Sequence, residues 1–201
     1  MKIVTTAEGG AALTNQKELA DKMALLRSHG ITRDPEMMTE ASHGGWYYQQ
    51  VDLGFNYRMT ELQAALGVTQ MQRLDEFVAA RHVLSKRYNQ LLSGLPLVLP
   101  YQLKNTYSGL HLFVIRLKLN EISLTHKQVF DALRENGIGV NLHYIPVHTQ
   151  PYYQAIGYSE GNFPESESYY QEAISLPMFH GMTEDQQDTV VRLIAYVLNK
   201  E

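Results

Sequence analysis

Three stretches of the chain carry residues that could do chemistry. Lys2 is followed at once by Ile3-Val4-Thr5-Thr6, then by Glu8-Gly9-Gly10 and the run Ala11 to Thr14. β-Branched runs favour strands and a Gly-Gly pair favours a turn. The spacing therefore predicts a hairpin of strands Ile3–Thr6 and Ala11–Thr14, with Lys2 at its mouth. A lysine held there is either a reactive amine on a rigid element or an ordinary solvated side chain. The second stretch is Gly54-Phe55-Asn56-Tyr57-Arg58-Met59-Thr60-Glu61-Leu62-Gln63. Thr60 and Gln63 fit a capping box, so a helix starts at Thr60 with Asn56 and Arg58 just ahead of it. Free N–H groups and partial positive charge at a helix start favour a phosphate, and Arg58 adds a planar donor fork. The alternative is an arginine that only caps or pairs locally. The third stretch runs from His143-Tyr144 through Pro146, His148 and Pro151 to Tyr152-Tyr153. Two histidines five apart around a proline do not have helical metal-ligand spacing, and no nearby carboxylate or cysteine completes a set, so a zinc site is rejected. Histidines and tyrosines around two prolines suit a hydroxyl-rich ligand stacked on rings; they also suit a surface loop with one buried tyrosine.

The elements that must position these residues follow from periodicity. Asn15 with Glu18 resembles a capping box, and Leu19, Met23 and Leu26 recur at helical spacing up to Gly30. This predicts an amphipathic scaffold helix from Asn15. The stretch from Ile31 to Asp52 lacks periodicity and holds Gly44-Gly45 before Trp46-Tyr47-Tyr48. A loop this long is usually functional; its three aromatics either cover a ligand or plug a core edge. From Thr60 apolar faces continue to Leu92 as one long helix, or as two with a bend near Asp75. Gly67 marks a break or a close packing within that run. After Gly94 and Pro96 the pattern predicts a strand over Leu110–Leu119, a helix over Leu124–Asn136 capped by Thr125, and a short strand from Gly137 to Val140. A helix over Ser166–Ser175 follows, then a strand over Ile174–Phe179, and a last helix opened by Thr183 with Gln186. This alternation describes an α/β domain. Internal repeats and low-complexity segments are not apparent.

Composition narrows the class. The chain has 201 residues, a net charge of −4 and no cysteine. A mildly acidic chain argues against a nucleic-acid binder resting on a basic surface. Absence of cysteine excludes a disulfide framework and fits a cytoplasmic enzyme. No apolar run approaches the ~20 residues needed to cross a bilayer, and the start lacks the pattern of a signal peptide.

A lysine before a Thr-rich strand and Glu-Gly-Gly, the Gly54-x-Asn56-x-Arg58-Met59-x-Glu61-x-Gln63-Ala64-Ala65 stretch, the helical run beyond it and the His143–Tyr153 stretch together resemble the DegT/DnrJ/StrS family of sugar-nucleotide aminotransferases. The resemblance runs along nearly the whole chain. It implies the C-terminal part of a fold-type I, pyridoxal phosphate (PLP)-dependent transferase: residues 1–74 as the end of the large PLP-binding domain and 75–201 as the small α/β domain. It implies that Lys2 holds PLP covalently and shuttles protons, that Asn56 reaches the PLP phosphate of the neighbouring subunit of a homodimer, and that Arg58 lies near the sugar nucleotide. It sets His143, Tyr144, His148 and Tyr152 against the nucleotide sugar. The implied reaction moves an amino group from a donor such as glutamate to a nucleotide-linked 4-keto-6-deoxy sugar, closest to the enzymes of pseudaminic acid synthesis. Some members are dehydratases with histidine at the lysine position; Lys2 favours transamination. In the family, most of the large sheet, an Asp for the pyridinium nitrogen, a ring-stacking aromatic and the first phosphate loop precede the lysine. The expectation is therefore a chain that holds PLP weakly by itself. The competing class is a non-catalytic assembly or binding module that keeps the dimer surface and the nucleotide-sugar loop. A transcriptional regulator has no helix-turn-helix signal or basic face to support it.

Overall fold

Three Thr-x-x-Gln segments open three of the helices, each by the same exchange of bonds. The threonine Oγ1 accepts from the glutamine backbone N–H at 3.3 Å in all three, and the glutamine Oε1 accepts back from the threonine N–H: Thr60 with Gln63 at 3.0 Å, Thr125 with Gln128 at 2.8 Å and Thr183 with Gln186 at 3.0 Å. The computed structural model describes residues 2–199; Met1, Lys200 and Glu201, at the ends of the expected divisions, lie outside the described residues. The chain falls into two units, Ile3–Gln72 and Arg73–Glu201, the second also taking in Lys2.

The first unit holds helix α1 (Lys17–Arg27), the two-residue strands β1 (Ile31–Thr32) and β2 (Gln49–Gln50), and helix α2 (Glu61–Gln72). β1 and β2 pair antiparallel, Ile31 opposite Gln50, inside the stretch expected to be a loop. The hairpin expected over residues 3–14 does not form: none of these residues is in a strand. Threonine side chains take over the local backbone instead, Thr5 Oγ1 accepting from Ala7 N–H at 3.2 Å and Thr6 Oγ1 donating to the Glu8 carbonyl at 2.8 Å. Such bonds compete with a ladder wherever no neighbouring strand completes it. α1 begins two residues later than predicted, at Lys17, because Thr14 Oγ1 rather than a residue-15 cap accepts from Gln16 N–H at 3.1 Å. Its end falls where Gly30 predicts: Gly30 adopts φ 69° and its N–H reaches the Leu25 carbonyl at 3.0 Å. α2 passes through Gly67 unbroken; a Cβ there would meet Thr6 Cγ2 at 3.0 Å, so the glycine serves close packing. Neither α1 nor α2 buries a residue.

In the second unit, helix α3 (Leu74–Leu91) follows α2 after a break at Arg73, so the two-helix form of the expected long run is the one adopted. Strand β3 (Leu97–Val98), strand β4 (Phe113–Leu117), helix α4 (His126–Glu135), helix α5 (Pro151–Ala155), helix α6 (Pro164–Glu172), strand β5 (Ala173–Leu176) and helix α7 (Glu184–Leu198) complete it. The sheet runs β3-β4-β5, antiparallel throughout, with Ile115 opposite Ile174. Alternation along β4 works as predicted: Phe113, Ile115 and Leu117 are buried while Val114 and Arg116 are half-buried. The strand expected at 137–140 reduces to one bridge, Asn141 to Ser175. The strand expected over Ile174–Phe179 runs instead over Ala173–Leu176, so Pro177 stands just past it and costs the ladder nothing. Side chains of α3, α4 and α7 close on the sheet in one core, with Tyr88, Leu133 and Val197 fully enclosed. Tyr88 donates its hydroxyl to the Pro177 carbonyl at 2.9 Å, and burial pushes its pKa up. Among the described residues no helix is long and apolar enough to cross a membrane.

Candidate active site

In the first unit, glycines explain why the Gly54–Gln63 stretch lies where it does. A Cβ on Gly54 would stand 2.3 Å from Gly30 N and 2.6 Å from the Leu26 carbonyl oxygen; a Cβ on Gly30 would stand 2.0 Å from the Asp52 carbonyl oxygen. Only two glycines allow the backbones to meet this closely. The contact continues as a short ladder in which Phe55 N–H donates to Leu26 O at 2.7 Å, His29 N–H to Phe55 O at 2.9 Å and Tyr57 N–H to Arg27 O at 3.0 Å. An ion pair between Lys22 and Asp52 ties the same segment to α1; the lysine's hydrogen bond holds the Asp52 carboxyl below its usual range. Phe55 and Tyr57 stack at 4.9 Å. This framework presents Asn56 and Arg58 to solvent ahead of the Thr60 cap. Among the described residues no hydrogen bond or ion pair engages the Asn56 amide or the Arg58 guanidinium. Arg58 also lines an open cavity of about 1130 Å³ together with Glu8 to Thr14, the Ala20–Arg27 side of α1 and Gln63. Trp46 is exposed and Tyr47 packs on His43 at 4.4 Å, so Trp46 plugs no core edge within this unit.

The second unit carries Lys2, His143, Tyr144, His148 and Tyr152. The exposed Lys2 amine has no hydrogen bond or ion pair among the described residues. His143, joined to Tyr144 by a cis peptide bond, sets Nδ1 2.8 Å from Ser175 Oγ on β5. Tyr144 and Tyr152 turn outward, 67% and 71% exposed, whereas His148 is buried with Nε2 2.6 Å from Glu167 Oε1. That hydrogen bond holds the Glu167 carboxyl below its usual range, helped by the backbone N–H groups of Gly161 and Phe163.

Periodicity and spacing did not single out two further groups. Arg81 on α3 is buried, and its Nη1 donates to the carbonyls of Leu110 at 3.2 Å, His111 at 3.0 Å and Met178 at 3.1 Å, pinning the approach to β4. His111 has a buried Nδ1 without a partner among the described residues. Burial, followed by the charges of Lys2 and Arg81, lowers its pKa, which favours a neutral imidazole. The sequence signal that could have pointed to His111 is its place just ahead of an alternating strand, on the short segment leading from a polar loop.

An antiparallel three-stranded domain backed by helices, joined to a unit that displays an uncommitted amide and guanidinium ahead of a capped helix, matches the C-terminal halves of solved aminotransferases. The structure superposes on Helicobacter pylori PseC, an aminotransferase involved in pseudaminic acid biosynthesis, with a TM-score of 0.87 and 26% identity, covering 98% of this chain and 51% of that one. It shares its fold with the putative sugar aminotransferase Spr1654 of Streptococcus pneumoniae in its pyridoxamine phosphate (PMP) form, at TM-score 0.83 and 23% identity over 97% of this chain and 50% of that one. In sequence it is 35% identical to the spore coat polysaccharide biosynthesis protein SpsC of Bacillus subtilis over 196 residues, 96% of this chain and 50% of SpsC. The chain belongs to the DegT/DnrJ/EryC1/StrS aminotransferase family, whose pattern matches residues 1–195. PLP is the cofactor of this family. The chain spans about half the length of the curated relatives it matches.

Proposed function

We propose that the chain is the C-terminal half of a PLP-dependent aminotransferase acting on a nucleotide-linked 4-keto-6-deoxy sugar, with glutamate as amino donor, in the synthesis of a surface glycan precursor. The observation that carries this reading is that Lys2, Asn56 and Arg58, the residues at the family's motif positions, are all exposed and, among the described residues, their side chains make no hydrogen bond or ion pair. They supply the donor set that the cofactor and substrate need: a primary amine, an amide and a permanent cation. PLP, when bound, supplies the electron sink for the amino transfer. Lys2 Nζ holds it covalently and, once released, moves the proton at the Cα of the amino donor, a general acid–base role worth typically about 10²–10⁴-fold. Asn56 donates to the cofactor phosphate of a neighbouring subunit in a homodimer. Arg58 meets the nucleotide's phosphates with charge-assisted hydrogen bonds. His143, Tyr144 and Tyr152 face the sugar, and the buried His148 serves that surface from beneath.

A second reading, a non-catalytic assembly or binding module of the same fold, is favoured by α1 and α2, which bury nothing within their own unit. Borohydride reduction in the presence of PLP, followed by peptide mass spectrometry, separates the two. Labelling is expected on Lys2, below one equivalent for this chain alone, and absent in Lys2→Ala. A label spread over other lysines and unchanged in Lys2→Ala would overturn the catalytic assignment.

A further inference from the structure

Glu167 gathers three contacts, from His148 and from the loop ahead of α6, at a single oxygen atom. Its Oε1 lies 2.6 Å from His148 Nε2, 2.8 Å from Gly161 N and 3.4 Å from Phe163 N. An ionised carboxylate only accepts, so His148 donates from Nε2–H and the two amides converge on the same atom. The His148 ring is buried and packs 4.8 Å from the Phe163 ring, which closes the arrangement from the side. His148 is the middle residue of the tight 3-10 turn Val147–Thr149, itself fixed by Thr149 N–H to the Pro146 carbonyl at 3.0 Å. Tyr144 lies four residues before His148 and Tyr152 four after, the latter on α5, and both rings are exposed. The buried midpoint of this stretch is thus held from α6, while both of its flanks present rings to solvent.

We propose that Glu167 is a positioning residue for nucleotide-sugar binding: through His148 it sets the spacing and aim of Tyr144 and Tyr152. The proposal rests on the reading of residues 143–153 as the sugar-facing surface. Glu167→Ala removes all three acceptor contacts. Glu167→Gln keeps one carbonyl oxygen able to accept at the same position, loses the charge and turns the second oxygen into an NH2 donor.

The test follows backbone amides by NMR while the chain is titrated with UDP-N-acetylglucosamine as the probe. In Glu167→Ala, amide exchange at Thr149, Gln150, Gly161 and Phe163 should quicken about tenfold or more and the probe's Kd should rise by about tenfold, as loss of charge-assisted bonds demands. Amides of Ile115 and Leu117 serve as the fold control and should not change. Glu167→Gln should fall between Glu167→Ala and the parent chain in both readouts. Unchanged exchange in Glu167→Ala overturns the proposal. Faster exchange with an unchanged Kd also overturns it, since Glu167 would then be holding chain that the ligand does not use. If the parent chain shows no probe-induced shifts near Tyr144 and Tyr152, the sugar-facing reading itself fails, before any variant is made, and the proposal falls with it.

Discussion

The two units of this chain solve the burial problem in opposite ways. Arg73–Glu201 encloses Phe113, Ile115, Leu133 and Ile194 between a sheet and three helices. In Ile3–Gln72 only Gly30 and Thr32 are buried, while Leu53 and Leu62 are 81% and 85% exposed. Both units have well-formed helices, and α2 is capped as well as α4 and α7. Local hydrogen bonding is therefore not what separates them. One unit is held by side chains that exclude water; the other is held by backbone contacts between glycines and by a short ladder. The unit that displays Asn56 and Arg58 is the one that encloses no apolar side chain fully.

The sharpest way to break this contrast is to truncate one apolar side chain in each unit and compare urea unfolding. Phe113→Ala should cost about 3–5 kcal/mol, the range for deleting a buried aromatic. Leu62→Ala should stay within about 0.5 kcal/mol, as for exposed substitutions. A large loss in Leu62→Ala would mean that the first unit has an apolar core of its own. A smaller effect sharpens the other half of the comparison. Gly54→Ala drives a Cβ into the backbone at Gly30 and should cost about 1–3 kcal/mol, the usual penalty for overpacking. It should do so by freeing the amides of His29, Phe55 and Tyr57 to exchange. Gly10→Ala, with nothing within 4 Å of the added carbon, should be neutral or stabilising by up to about 1 kcal/mol. Equal effects at both glycines would refute the claim that backbone approach holds this unit.

Legibility in the sequence follows the same divide between local and distant causes. The Thr125 cap, the Thr183 box and the alternation of β4 are complete within a few residues, and all three form as read. The break between α2 and α3 was open to two readings because no proline or glycine marks Arg73. The hairpin over residues 3–14 fails for the opposite reason: strands need partners, and the described residues supply none beside it. Asn15 looked like a cap, but a threonine one position earlier accepted the N–H of Gln16. At the candidate site, the residue types of the Gly54–Gln63 stretch were visible, whereas the reason for Gly54 lies 24 residues upstream at Gly30. The partner of His148 lies 19 residues downstream on another helix, and the carbonyls that Arg81 gathers come from two segments far along the chain. No periodicity encodes such pairings.

The three capping boxes have a consequence for acid. Each uses glutamine, not glutamate, as its returning acceptor, so the capping bonds themselves involve no group that titrates, although Glu61 lies in the first turn of α2 and Glu184 and Asp185 in that of α7. The Glu167 junction does titrate. Its carboxyl is held below the ordinary range by the bond from His148, so its contribution is complete above the unfolded value and disappears as pH falls through the lowered folded one. The Lys22–Asp52 pair, whose carboxyl is likewise depressed by its lysine, weakens in its turn as pH falls through that depressed value. Acidification should thus release the 143–163 stretch and loosen Asp52 from α1 while the amides at the starts of α4 and α7 stay protected. A series of amide exchange measurements from pH 6 down to about pH 3.5, corrected for intrinsic rates, would show the order of release. Simultaneous loss at the capped helices would mean that the neutral caps confer no such resistance.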